Sequence, residues 1–162
     1  RRFLDANLAV GPQVWRIGAG ANMAFRREVF DRVGHFDERL GAGASGCSED
    51  SELWYRIIAA GGACLYEPRV MVRHHHRADW PGLCQQLRAY MKGHTAALLI
   101  QHKRYGHPGN ARRAFRQLPR YFLRCAGQVV TGRYPRPVTT LLAEFRGWLE
   151  GVLFALRLRS GA

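Results

Sequence analysis

The chain has 162 residues, 47% of them hydrophobic, and carries a formal net charge of +13. That length suits one domain or a compact half of a larger one, and the apolar content excludes global disorder. No run nears the ~18 to 20 apolar residues of a membrane-spanning helix; the longest, at 96–100 and 152–156, are far shorter.

The first residues, RRFLDANLAV, have no initiator Met, apolar leader or cleavage site, so the chain reads as a piece of a longer protein. An apolar patch at 8–10 precedes an expected short strand at 14–17. Gly18, Ala19, Gly20 and Asn22 follow, in a run of small residues that lets backbone approach a ligand or another strand closely. Either a pocket-lining loop or a tight turn into a buried strand fits it.

Residues 27–33 read as a short helix stopped by Gly34, with Val29, Phe30 and Val33 on one side. Phe36, Asp37 and Glu38 suit a turn or cap. GAGASG at 41–46 lacks the Lys-Ser/Thr ending of a phosphate-binding loop. Its position directly before two acids suits a lid over a site, or plain slack.

Ser48 is the expected N-cap of a helix over 49–60, and Gly61-Gly62 its stop. At about 100° per residue, Asp50, Leu53, Trp54, Ile57 and Ile58 share one face. Glu49, Glu52 and Arg56 fall away from it, the last two at i,i+4 spacing. Acids in a first turn favour the helix dipole, which accounts for Glu49 and Glu52 and only partly for Asp50. A carboxylate within an apolar stripe needs a hydrogen bond, a cation or a task.

Residues 64–66 and 70–73 read as two strands split at Glu67-Pro68, the second ending in His74, His75 and His76. Strand alternation puts His74 and His76 on one side and His75 on the other, so the three cannot share one ion. A histidine here suits a metal ligand or a structural group.

Charge divides the chain. Residues 1–76 carry 10 Lys/Arg against 9 Asp/Glu, whereas 77–162 carry 15 against 3. From Trp80 the pattern is helical: one helix to about Tyr105, stopped by Gly106-His107-Pro108, and a second over 111–131, kinked or split at Pro119. A third covers 138–158, with Leu141, Leu142, Phe145, Trp148, Leu149, Val152 and Leu156 on its apolar side. Arginine-flanked helices of this kind fit an anionic membrane surface, over 80–159, or ordinary helix packing with a solvated basic face. Nucleic acid is not an expected partner, since no zinc-finger, RRM or KH signature accompanies the charge. Cysteines 47, 64, 84 and 125 form no C-x-x-C pair, which disfavours a zinc knuckle and suits reduced thiols in the cytoplasm.

Taken in order, Gly20-x-Asn22-Met-Ala-Phe-Arg-Arg27-Glu-Val-Phe, Val33-Gly34-His-Phe36-Asp37-Glu38 and Glu49-Asp50-Ser-Glu-Leu-Trp-Tyr-Arg56 resemble the C-terminal half of family 2 glycosyltransferases. Gly61, Tyr66-x-Pro68 and His74, 24 residues after Asp50, continue the match, which covers about 14–76. The resemblance implies an α/β fold: the C-terminal portion of a GT-A (Rossmann-like) domain over 1–78, followed by a basic helical tail over 79–162. It implies an inverting transferase of hexosyltransferase type, moving a sugar from a nucleotide-diphospho-sugar donor to an acceptor hydroxyl. A cell-surface glycan or a lipid-linked acceptor is the expected context, at the inner face of the cell membrane.

By the same resemblance Asp50 is the general base and Glu49 its positioning neighbour. Gly18, Ala19, Gly20 and Asn22 would sit by the donor sugar. His74, with His76 as alternate, would help hold a divalent metal, Mn2+ or Mg2+, shared with the family's Asp-x-Asp motif. No D-x-D occurs in this chain, so alone it is expected to be incomplete and inactive; Gln-x-x-Arg-Trp, the mark of processive synthases, is also absent. The competing reading is a non-catalytic module whose basic helices bind anionic membrane or nucleic acid.

Overall fold

A computed structural model of the chain describes residues 2–4, 7–8, 13–73, 75 and 78–158. Helix α1 (Glu28–Val33) stops where the sequence predicts, at Gly34 with φ 80°. Helix α2 (Glu49–Ala59) is the centre of the first half. Its Leu53, Trp54, Tyr55 and Ile57 are buried together with Leu8 and Val14, and Met23, Phe25, Val29, Phe30 and Val33 pack around them.

Two expectations about α2 are overturned. Glu52 and Arg56 do not face solvent: they are 0% and 4% exposed and form an ion pair at 2.7 Å. The reason is that α2 is covered on that side too. Arg56 Nη1 donates to the carbonyls of Val33 and Gly34 and Nη2 to that of His35, satisfying the C-terminal end of α1. Ser48, in turn, caps nothing with its side chain. It adopts a left-handed backbone (φ 78°, ψ 13°), and its Oγ lies 3.2 Å from Cys47 Sγ.

The α/β expectation is met only by a small antiparallel pair, β1 (Arg2–Leu4) on β2 (Cys64–Tyr66), in the register Arg2 with Tyr66 and Leu4 with Cys64. Neither of the other two strands expected from the sequence forms. Residues Val14–Arg16 make a single 3₁₀ turn, and 70–73 run as an exposed, unpaired segment. Apolar runs this short read alike as strand or as anchored turn, and only a pairing partner separates the two.

The basic half is helical, as predicted. Helix α3 (Trp80–Tyr105) is capped by Asp79, whose carboxylate accepts from Gly82 N at 2.7 Å, and ends at Gly106 in the left-handed region. Helix α4 (Pro108–Arg112) leads through one wide turn, Arg113–Gln117, into α5 (Leu118–Val130). Pro119 explains the wide turn: its ring lacks an N–H and crowds the Phe115 carbonyl, so Leu118 N bonds back five residues to Arg113 O.

Helix α6 (Val138–Arg157) lies along α3. Its buried line is Thr140, Leu141, Glu144, Gly147, Gly151 and Ala155, and the two glycines bring the backbones together, Gly147 against the Arg88 carbonyl and Gly151 against that of Lys92. Leu142, Phe145, Leu149 and Leu156, placed on the apolar side from sequence, are 60%, 41%, 42% and 46% exposed.

The helices close on the first half rather than trailing from it. Gly46 lies against Ala89, Lys92 Nζ donates to Ala44 O at 3.0 Å, and any Cβ on Gly93 would strike the Cys47 carbonyl. Farther along, Tyr55 Oη meets His107 Nδ1 at 2.5 Å and accepts from Asn110 Nδ2 at 2.8 Å. The 41–46 segment is thus a series of turns seated on α3, with Ser45 fully buried.

Candidate functional site

The seam between the two halves encloses a cavity of about 720 Å3. One wall comes from Trp15 and the small-residue segment 18–21, the next from 47–51 at the start of α2. The helical half contributes Tyr90, Met91 and His94 of α3, Arg113 of the wide turn, and Leu118, Tyr121 and Glu144 beyond it.

Asp50 sits where the first two walls meet. Its Oδ1 accepts from Ser51 N at 2.6 Å and from Ser51 Oγ at 3.1 Å, which fixes the carboxyl plane. Its Oδ2 has no hydrogen-bond partner among the described residues and faces Gly20 so closely that a Cβ there would lie 3.0 Å away. The missing side chain at 20 is therefore what leaves room for this carboxylate. One oxygen held and one available is the arrangement a proton acceptor needs.

The strained Ser48 backbone immediately precedes this pair of acids. A left-handed non-glycine residue costs on the order of 1–3 kcal/mol and persists where surrounding structure enforces it. Here Cys47 is pinned by Sγ contacts to the Ala89 and Tyr90 carbonyls, and burial pushes its thiol up to about 11, so it is an inert thiol.

Of the residues singled out from sequence, Gly18, Ala19, Gly20, Glu49 and Asp50 all line this cavity. Glu49 turns toward Gly41, and its Oε2 is buried without a partner. Asn22 is outside the lining: its Nδ2 donates to Val70 O at 3.0 Å, bracing the small-residue segment against 70–73. His74 and His76 lie outside the described residues. Among the described residues no three His, Cys, Asp or Glu side chains come together to hold a metal, so the described lining by itself does not fit a divalent ion.

Sequence reasoning missed the part of the lining that comes from the helical half. His94 and Arg113 are the notable groups there. Arg113 Nε donates to His94 Nε2 at 3.2 Å, and both side chains pack on Trp15, with the guanidinium carbon 5.1 Å and the imidazole centroid 5.9 Å from its ring. Burial, then the Arg113 charge, push the His94 pKa down to about 3, so the imidazole is neutral at ordinary pH. Below them Tyr121 Oη donates to Glu144 Oε2 at 2.6 Å. The available signal was His94 itself, a polar residue three positions from Met91 in the apolar stripe of α3.

A carboxylate held at a helix start beside a small-residue loop, over a cavity of ligand size, is an arrangement chemically able to take a ligand and accept a proton. The model of the glycosyltransferase-like family 2 matches residues 10–93, from before Trp15 into α3, and the chain belongs to that family. Two curated relatives, the pre-mycofactocin glycosyltransferases of Mycobacterium tuberculosis strains CDC 1551 / Oshkosh and ATCC 25618 / H37Rv, are each 34% identical over 85 residues. The aligned part is 51% of this chain and 16% of each relative. No solved structure matches.

Proposed function

We propose that this chain is the acceptor-side part of an inverting glycosyltransferase of hexosyltransferase type and GT-A architecture, with Asp50 as general base. The observation that carries the reading is the Asp50 carboxyl, with Oδ1 held by Ser51 and Oδ2 open to the cavity beside Gly20. As the acceptor oxygen forms its bond to the anomeric carbon, the bond from that carbon to the nucleoside diphosphate breaks. The hydroxyl proton passes to Asp50 Oδ2. Glu49 supports the turn that sets Asp50 in place, and 18–20 line the sugar side.

Mn2+ or Mg2+ belongs to this proposal through His74, or His76 as alternate, together with an Asp-x-Asp motif outside residues 1–162. Membrane association belongs to it as well. No helix among the described residues is long and apolar enough to cross a membrane. Leu142, Phe145, Leu149, Leu153 and Leu156 instead form an exposed stripe on α6, beside the exposed Arg146 and Arg157. Such a face fits the surface of an anionic bilayer, and with it a lipid-linked or cell-surface glycan acceptor.

The test is Asp50→Asn in the intact protein. Sugar transfer falls by about 10²-fold or more, while donor binding, measured by calorimetry, is retained. Undiminished transfer would sink the base assignment. The same exposed face keeps one competing reading in view, a non-catalytic basic module that binds membrane in a salt-sensitive way and is indifferent to Asp50.

A further inference from the structure

Arg113 is a cation in an unusual position. It is partly buried at the junction of α4 and α5, and it is the one Lys or Arg among the described residues lining the cavity. Its donors are only partly used: Nε goes to His94, Nη1 reaches Gln117 Oε1 at 3.4 Å, and Nη2 has no partner among the described residues.

The acids on the same walls do not pair with it. Glu144 is engaged by Tyr121 Oη and by Arg136 Nη2 at 3.4 Å. Asp50 Oδ1 is held by Ser51, and Glu49 turns to Gly41. Among the described residues, no ion pair involves Arg113.

Removing a charge from water without a counter-charge is costly, so a guanidinium left in this state points to an anion supplied from elsewhere. Its surroundings prepare it for one. Trp15 packs on the guanidinium, and the neutral His94 accepts from Nε without adding a second positive charge. The planar fork is thereby fixed with Nη groups left to donate, the geometry that suits a carboxylate or phosphate.

We propose that Arg113 binds an oxyanion, carboxylate or phosphate, on the acceptor substrate, whose hydroxyl is delivered to Asp50 in the same cavity. Tyr90, Met91 and Leu118, which line the same cavity, take the apolar or ring portion of that molecule. This rests on the transfer reading for the hydroxyl end alone; the oxyanion site stands or falls by itself.

The experiment is calorimetric titration of the full chain with phenyl phosphate, benzoate and the neutral probe phenol at matched ionic strength. At least one anionic probe binds tenfold or more tighter than phenol, and whichever of the two is tighter identifies the group. Arg113→Gln removes that preference, Arg113→Lys restores part of it, and Arg146→Gln on the exposed face of α6 leaves it intact. Equal binding of all three probes by the unaltered chain overturns the proposal without recourse to any variant, as does an Arg113→Gln chain that keeps the preference. Asp50→Asn removes a negative charge from the cavity and leaves the preference in place or strengthens it. If Asp50→Asn retains full transfer in the intact protein while the Arg113 preference holds, the base assignment fails and the oxyanion site survives.

Discussion

Arg56 Nε donates to Glu52 Oε2 at 2.7 Å in the interior, with the two side chains 4% and 1% exposed. The pair is not self-sufficient. Arg56 also holds the carbonyls of Val33, Gly34 and His35, so it joins α2 to the C-terminal end of α1 and the turn beyond. Glu52 alone is a poorer tenant: burial raises its pKa, Arg56 opposes that, and its Oε1 has no partner.

The two members of this pair therefore differ in what their loss costs. Arg56→Met leaves a buried carboxylate and three carbonyls without donors, and costs about 3–5 kcal/mol. Glu52→Gln keeps an acceptor for Nε and costs less than half of that. Urea unfolding of both variants measures the difference; equal losses would show that the carbonyl contacts contribute nothing.

Gly93 and Gly127 make an opposed pair. Replacing a helical glycine by alanine ordinarily stabilises by up to ~1 kcal/mol, and Gly127→Ala, with nothing within 4 Å of the new Cβ, follows that rule. At Gly93 the Cβ meets the Cys47 carbonyl carbon at 2.8 Å and Sγ at 2.7 Å, and backbone cannot turn aside. Overpacking of about 1–3 kcal/mol outweighs the propensity gain, so Gly93→Ala destabilises. Thermal melts should move in opposite directions.

Gly20→Ala tests the cavity rather than the fold. Its Cβ would stand 3.0 Å from Asp50 Oδ2 and 3.3 Å from Asp50 Cβ, a contact relieved by shifting the carboxyl a few tenths of an ångström. Stability changes by less than about 1 kcal/mol, while kcat/KM in the intact protein drops roughly tenfold or more. A kcat/KM equal to that of the unaltered enzyme would mean that Asp50 is not poised by this contact.

His94 introduces an acid-side slope in stability. In the folded chain it stays neutral down to about pH 3, whereas unfolded histidine takes up a proton near 6.5. Between those values the unfolded state binds the extra proton, so stability is lost as pH falls, by up to about 1.4 kcal/mol per unit for one full proton. Asp37 and Glu150, whose pKa values are lowered by Arg39 and Arg88, add a slope of the same sign at lower pH. Urea midpoints at pH 7 and pH 4.5 isolate the imidazole: His94→Gln flattens the interval, and an unchanged interval would contradict a neutral, desolvated His94.

The helices were legible from spacing and punctuation: Gly34, Gly106 and Pro119 act where the chain predicts a stop, a cap and a break. So was the part of the cavity lining that the first half supplies at Gly18, Gly20, Glu49 and Asp50, which fall in two short segments. The strands at 14–17 and 70–73 failed because strand formation depends on a partner that local sequence does not contain. Ser48 fails as a side-chain N-cap: its backbone is left-handed, next to a Cys47 whose Sγ contacts the Ala89 and Tyr90 carbonyls of α3.

By itself the sequence determined the family motifs, the helical second half and the division of charge. Each of these depends on residues close in the chain, where helical period and motif spacing suffice. Tertiary structure alone decided that Glu52 and Arg56 are buried, that α6 packs through Gly147 and Gly151 with Leu142, Leu149, Leu153 and Leu156 outward, and that the tail closes the cavity. Those outcomes depend on which surfaces meet, and contacts such as Tyr55 with Asn110, Gly93 with Cys47 and Trp15 with Arg113 join segments that no local pattern connects.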